Sequence, residues 1–190
     1  MNEIILEVTQ NIIERSKTSR EIYLNRVKEV SSKKVNRSKM GCSSLAHTIA
    51  PMSSVEKEAM SNMLTPNIAI VTSYNDMLSA HEPFSVYPPL IKRTLLQEGA
   101  TAQVASGVPA MCDGVTQGFE GMELSLFSRD NIAMGAAIGL SHNVYDGAIF
   151  LGVCDKIVPG LLIGALSFGH LPAIFMPAGP MPSGISNKEK

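Results

Sequence analysis

The chain has 190 residues, 45% of them hydrophobic and 17% charged, enough for one sizeable core and incompatible with a disordered polypeptide. A formal net charge of −1 offers no electrostatic attraction for nucleic acid. Three cysteines, an odd number, with no basic region behind Met1, argue for free thiols in a reducing cytoplasm rather than for disulfides.

Residues 3–29 read as a helix. Ile4, Ile5, Val8, Ile12 and Ile13 recur at helical spacing, Leu24, Val27 and Val30 continue the pattern, and Ser31-Ser32-Lys33-Lys34 ends it. Such an arm packs on its own domain or on a second subunit. Residues 31–52 read as irregular, and Lys28, Lys33, Lys34, Arg37 and Lys39 as a solvated linker, with a binding patch as the alternative. Residues 1–52 therefore form an arm and linker, and residues 53–190 an α/β domain. Ser53 or Ser54 caps a short helix through Met63, with Glu56 in its first turn.

Residues 67–74 read as a buried strand that runs into a polar loop. Pro83 opens a helix ending near Glu98-Gly99, and residues 101–108 are a second strand, weaker because of Gly107 and the following Pro109. Ser128 caps a helix to about Asn143, with Asp130 in the first turn, where the helix dipole favours an anion. Residues 148–153 are the clearest strand, Pro159 opens a helix to about Gly169, and Ala173-Ile174-Phe175-Met176 is the last strand. The apolar stretch from Ile149 to Ala178 is broken by Asp155, Lys156, Pro159 and His170, so nothing reaches the ~18 residues of a membrane span. Strands alternating with helices predict an α/β fold, a mostly parallel sheet covered on both faces and preceded by a helical arm. In such sheets ligands bind beyond the carboxyl ends of the strands. Four polar loops fall there: 72–75, 112–117, 154–156 and 178–184.

Two of these loops repeat one chemistry. Met111-Cys112-Asp113-Gly114 and Val153-Cys154-Asp155-Lys156 each set a soft thiol beside a hard carboxylate. Soft sulfur suits iron–sulfur clusters or zinc, and carboxylates suit magnesium or manganese. Ordinary buried cysteines remain the alternative on the residues alone. No Cys-x-x-Cys occurs, and the glycines at 114, 118 and 121 do not form a dinucleotide fingerprint. His47, His142 and His170 are single histidines, core or surface by default; His81, in Ser79-Ala80-His81-Glu82, falls in a predicted site loop. An open cluster iron beside a magnesium ion suits removal of water from a 2,3-dihydroxy acid, whose enolate and leaving hydroxide both need cationic stabilisation.

Longer motifs then stand out. They are residues 109–118 (Pro-Ala-Met-Cys-Asp-Gly-Val-Thr-Gln-Gly), residues 121–126 with Ser128-Arg129, residues 154–160 (Cys-Asp-Lys-Ile-Val-Pro-Gly) and Gly179-Pro180-Met181. Over essentially the whole chain these resemble the dihydroxyacid dehydratase and 6-phosphogluconate dehydratase family. Residues 72–81 and Ser141-His142-Asn143 point to its phosphogluconate branch. The resemblance implies dehydration of 6-phosphogluconate, a phosphorylated sugar acid, to 2-keto-3-deoxy-6-phosphogluconate in the Entner–Doudoroff pathway. The cofactors implied are magnesium and an iron–sulfur cluster, [4Fe-4S] being the usual form in this branch and [2Fe-2S] the alternative.

Carried over by position, Cys154 matches a cluster ligand, Asp113 and Asp155 match magnesium ligands, and Lys156 matches a position that can be carbamylated. Dihydroxyacid dehydratases typically carry a cluster cysteine where this chain has Ala80-His81 and none before the aspartate matched by Asp113. That leaves Cys112 as the replacement ligand, expected at a strand end neighbouring that of Cys154. His81 is the one candidate base within these residues, the family's base lying further downstream, and Cys42 is expected to be a buried free thiol. The resemblance also implies a homodimer and a chain that is an amino-terminal fragment, silent alone. A dehydratase of another sugar acid and a non-catalytic α/β binding module are the competing expectations.

Overall fold

A computed structural model describes residues 2–33, 35 and 37–189. They form two compact units, one ending at residue 33 and one beginning at Val35. The first is a single helix, α1 (Glu3–Lys33), none of whose side chains is buried. It runs past the predicted end because the last turn is held by its own side chains. Ser32 Oγ donates to the Glu29 carbonyl, and Lys33 pairs with the Glu29 carboxylate at 2.9 Å.

The second unit is an α/β fold. It contains α2 (Cys42–Ile49), α3 (Ser54–Met60), β1 (Asn67–Thr72), α4 (Tyr87–Gln97), β2 (Thr101–Gly107), α5 (Asp113–Thr116), α6 (Leu124–Leu140), β3 (Gly147–Leu151), α7 (Ile157–Ser167) and β4 (Ala173–Met176). The four strands pair in parallel in the order β2-β1-β3-β4. Each strand alternates between two cores. Ala69, Val71, Ala148 and Phe150 face α6 and α7 through Ile132, Ala136, Ile157 and Leu161. Ile70, Ile149 and Leu151 face Ile91 of α4 and Phe84 in the turn that precedes it.

From β1 the chain moves through α4 to β2 on one side, and from β3 through α7 to β4 on the other. The direction therefore reverses between β1 and β3, the position where open α/β sheets bind ligands. Ser73 ties this point together, its amide and its hydroxyl both donating to the Leu151 carbonyl at 3.0 and 2.9 Å.

Four expectations about local structure change. The stretch 31–52 is not irregular throughout: α2 occupies Cys42–Ile49, a short helix with no side-chain cap to announce it. Arg37 is no part of a solvated linker. It is buried, pairs with Asp146 at 2.7 Å and donates to the Val144 and Thr65 carbonyls, fastening the segment before α2 to the amino ends of β1 and β3. Ser128 does not open α6, which begins at Leu124; its hydroxyl instead donates to the Ser125 carbonyl one turn back. Helix α4 starts at Tyr87, ahead of Pro88, while Pro83 lies in a separate 3-10 turn, Glu82–Ser85. The cap at Ser53 holds: with Glu56 it forms a reciprocal capping box.

Helices α6 and α7 touch almost backbone to backbone because glycines face small or branched side chains. A Cβ at Gly164 would stand 2.8 Å from Ala136 Cβ, and one at Gly160 would stand 2.9 Å from Ile132 Cβ. The pair is thereby locked in one register, which fixes the amino end of α7 relative to that of α6.

Candidate functional site

Both Cys-Asp pairs sit where a strand has ended and a helix begins. Cys112 caps α5 and Asp113 is its first residue. Lys156 caps α7, with Cys154 and Asp155 just before it. Gly152 makes room for this turn, since a Cβ there would collide with Leu161 Cδ1 of α7. Cys154 has φ 74°, in the left-handed region. For a residue other than glycine or asparagine that costs roughly 1–2 kcal/mol. Strain of this kind persists where surrounding structure imposes it, and such positions cluster at functional sites.

The strand ends that deliver the two loops are not neighbours, because β1 lies between β2 and β3. The loops nevertheless meet above the end of β1. Lys156 Nζ donates to Asp113 Oδ2, a contact across 43 residues, and to Asp155 Oδ2 at 2.8 Å. Ser125, at the start of α6, donates its hydroxyl to Asp113 Oδ1 at 2.6 Å. These donors hold Asp113 below the ordinary carboxylate pKa, Lys156 first and Ser125 second, against the opposing effect of desolvation. The same hydrogen bonds to Asp113 and Asp155 raise Lys156. Burial pushes the Cys154 thiol up, and the nearby Cys112, Asp155 and Asp113 add to that, opposed by Lys156. Cys112 thus lies near Cys154, and both are half-buried free thiols.

His81 stands apart from this group. Its ring is completely buried and meets Phe84 edge-on at 6.1 Å, on the α4 side of the sheet, whereas Cys154 packs on the α6–α7 side. Nδ1 donates to the Ser73 carbonyl at 2.8 Å, and Nε2 has no partner among the described residues. Burial lowers its pKa, against the Ser73 hydrogen bond, so the ring is a neutral imidazole. Cys42 is exposed, the first residue of α2, and not the buried thiol expected.

Two donor sets of different hardness therefore share the carboxyl end of the sheet: two thiols, suited to a soft centre, and two carboxylates, suited to a hard cation. The Lys156 ammonium, gripped by both carboxylates, shows that the second set accepts positive charge. Among the described residues no three His, Cys, Asp or Glu side chains converge on one point, so each set is partial. The residues fit a cluster and a magnesium ion as contributors, not as complete cages. Two side chains were missed in the sequence. Ser125 lies inside a recognised motif, yet a hydroxyl–carboxylate pair twelve positions apart follows no helical or strand period. Ser73 lies in a recognised loop with the same lack of signal.

Residues 65–190 match the family model described as dihydroxy-acid/6-phosphogluconate dehydratase, N-terminal. The chain belongs to this family. It is 60% identical to the phosphogluconate dehydratase of Escherichia coli strain K12 over all 190 of its residues, which cover 32% of that protein. It is also 60% identical to the phosphogluconate dehydratase of Rhizobium meliloti over 98% of this chain and 31% of that one. Family membership extends to a dihydroxy-acid dehydratase of Akkermansia muciniphila, 39% identical over 64% of this chain and 21% of that protein. The chain thus spans about a third of the length of the curated relatives it matches.

Proposed function

We propose that this chain supplies part of the active site of a dehydratase that converts 6-phosphogluconate to 2-keto-3-deoxy-6-phosphogluconate, the Entner–Doudoroff reaction. One observation carries the reading: Asp113 and Asp155, from loops remote in sequence, close on a single cationic group beside two thiols. The names of the relatives that match the whole chain favour the phosphorylated substrate over a branched dihydroxy acid.

In this reading Cys112 and Cys154 hold an iron–sulfur cluster, and Asp113 and Asp155, with Lys156, hold magnesium. When bound, these groups supply Lewis acidity at the leaving C3 hydroxyl and at the substrate carboxylate. The chain's own contribution is placement. Asp113 is held ionised by Lys156 and Ser125, ready to accept a cation. Lys156, drawn between two carboxylates, offsets one of their two charges; carbamylated by carbon dioxide, it would supply a further oxygen ligand instead. Loss of the C2 proton needs a base. His81 has an unprotonated Nε2 but is sealed from solvent on the α4 side, which argues against it as that base. Exposed or half-buried free thiols and an oxygen-sensitive cluster suit a reducing cytoplasm. Among the described residues no helix is long and apolar enough to cross a membrane.

The test is an anaerobic assay of the full-length protein, reconstituted with iron, sulfide and magnesium. Three substrates are compared: 6-phosphogluconate, gluconate and a branched 2,3-dihydroxy acid. The reading expects the keto-deoxy phosphate product, with kcat/KM for 6-phosphogluconate the highest of the three by about tenfold or more, one phosphate contact being worth at least ~1.4 kcal/mol. Residues 1–190 by themselves should give no turnover. Preference for the branched acid would contradict the substrate assignment, and turnover by residues 1–190 alone would make His81 the first residue to substitute.

A further inference from the structure

We propose that Ser125 is a positioning residue for the hard-cation site, setting the plane of the Asp113 carboxylate so that one oxygen is left for the metal. The inference rests on the proposed role of Asp113 and deepens it, assigning Ser125 the orientation of that carboxylate. Asp113 has two oxygens and two donors, one for each. Ser125 takes Oδ1 at 2.6 Å, and Lys156 takes Oδ2. A carboxylate held by one donor can rotate about its terminal torsion, which is broad and roughly two-fold. A second donor from another direction removes that freedom.

Ser125 is suited to this task by its surroundings. It is 2% exposed, so water cannot replace Asp113 as the acceptor for its hydroxyl. A hydroxyl to an ionised acceptor at 2.6 Å is a strong, charge-assisted bond. The residue is anchored in the first turn of α6, where its carbonyl accepts from Ser128 at 2.6 Å.

The two donors also come from the two helices that the glycine contacts lock together. Ser125 belongs to α6, and Lys156 caps α7, while Gly160 and Gly164 of α7 rest on Ile132 and Ala136 of α6. One rigid helix pair therefore grips Asp113 from two sides. Were a divalent cation held here, Asp113 would supply a hard oxygen ligand, and the Ser125 hydrogen bond to Oδ1 would fix the plane in which that ligand is offered. Groups outside the ligand sphere that orient ligands in this way are worth 10–100-fold in metal affinity.

The experiment measures Mn²⁺ binding by electron paramagnetic resonance in the full-length protein, with competition by Mg²⁺. Four variants accompany the wild type: Ser125→Ala, Asp113→Asn, the double variant, and Asp155→Asn. The proposal expects Ser125→Ala to keep a normal melting curve and weaken Mn²⁺ about 10–100-fold. In the Asp113→Asn background the same substitution should cause no further loss, since its effect passes through that carboxylate. Wild-type affinity in Ser125→Ala overturns the proposal, as does an equal loss with and without the Asp113 carboxylate. If Asp155→Asn loses Mn²⁺ while Ser125→Ala does not, the cation site stands and only the role of Ser125 falls. If the wild type binds no Mn²⁺ that Mg²⁺ displaces, the cation reading itself fails and this inference falls with it.

Discussion

Asp155→Asn in the full-length protein should lower kcat for 6-phosphogluconate by about a hundredfold or more while leaving the fold intact. Asp155 is the right carboxylate to change because its side chain is 75% exposed and, among the described residues, its ion pair is with Lys156. An isosteric amide there disturbs no packing, so a loss of rate cannot be assigned to unfolding. It removes one negative charge from the proposed cation site, and where a site stabilises developing charge a single well-placed group is worth several kcal/mol. Raised magnesium should restore part of the activity, because the amide oxygen remains a weaker ligand. Near-normal turnover at ordinary magnesium would remove Asp155 from the machinery and leave its pairing with Lys156 as a surface ion pair of little energetic consequence.

The second large effect is on stability. Gly139→Ala should destabilise the chain by about 1–3 kcal/mol, although alanine is the better helix former by about 1 kcal/mol. A Cβ at this position in α6 would stand 2.8 Å from Ser106 Cβ and 2.9 Å from the Ala105 carbonyl oxygen of β2. The obstacle is largely backbone, so no side-chain rotation relieves it, and helix and sheet must separate. That separation would also loosen the helix pair that presents Ser125 and Lys156. Gly121→Ala is the control, since a Cβ there meets nothing within 4 Å. Urea unfolding should show a lower midpoint for Gly139→Ala and a shift of at most a few tenths of a kcal/mol for Gly121→Ala. Equal midpoints would mean that α6 and β2 are not in the close contact described.

Much of the architecture is legible from apolar runs alone. Residues 148–153 read as a strand because a parallel sheet covered on both faces needs unbroken apolar residues, and β3 spans Gly147–Leu151 with every residue buried. The last strand falls at Ala173–Met176, where it was expected. Helix α2 was missed because eight residues without a side-chain cap carry too little signal. The start of α6 was missed because Ser128 has the composition of a cap, yet its hydroxyl turns back to the Ser125 carbonyl inside the helix. Arg37 reads as solvated because nothing local shows that Asp146, 109 positions away, pairs with it.

The site divides in the same way. Residue types single out the two Cys-Asp pairs, and the fold brings their side chains together. Strand order does not follow from composition, so the insertion of β1 between the two strand ends, and the meeting of the loops above it, emerge only with the fold. Ser125 shows the limit most plainly. Its value lies in one hydrogen bond to a residue on another helix, and a long-range contact of that kind leaves no periodicity to read.

The central claim is that the two Cys-Asp loops hold an iron–sulfur cluster beside a hard cation. Iron and acid-labile sulfide measured after anaerobic purification test it most directly, in the full-length wild type and in Cys154→Ser and Cys42→Ser. The account predicts about four iron and four sulfide per chain in the wild type, as a [4Fe-4S] cluster contains. It predicts loss of both in Cys154→Ser, because a hydroxyl is a poor ligand for soft iron. Both should be retained in Cys42→Ser, whose cysteine is exposed at the start of α2. Full iron and sulfide in Cys154→Ser, or a wild type that dehydrates 6-phosphogluconate while holding neither, would contradict it.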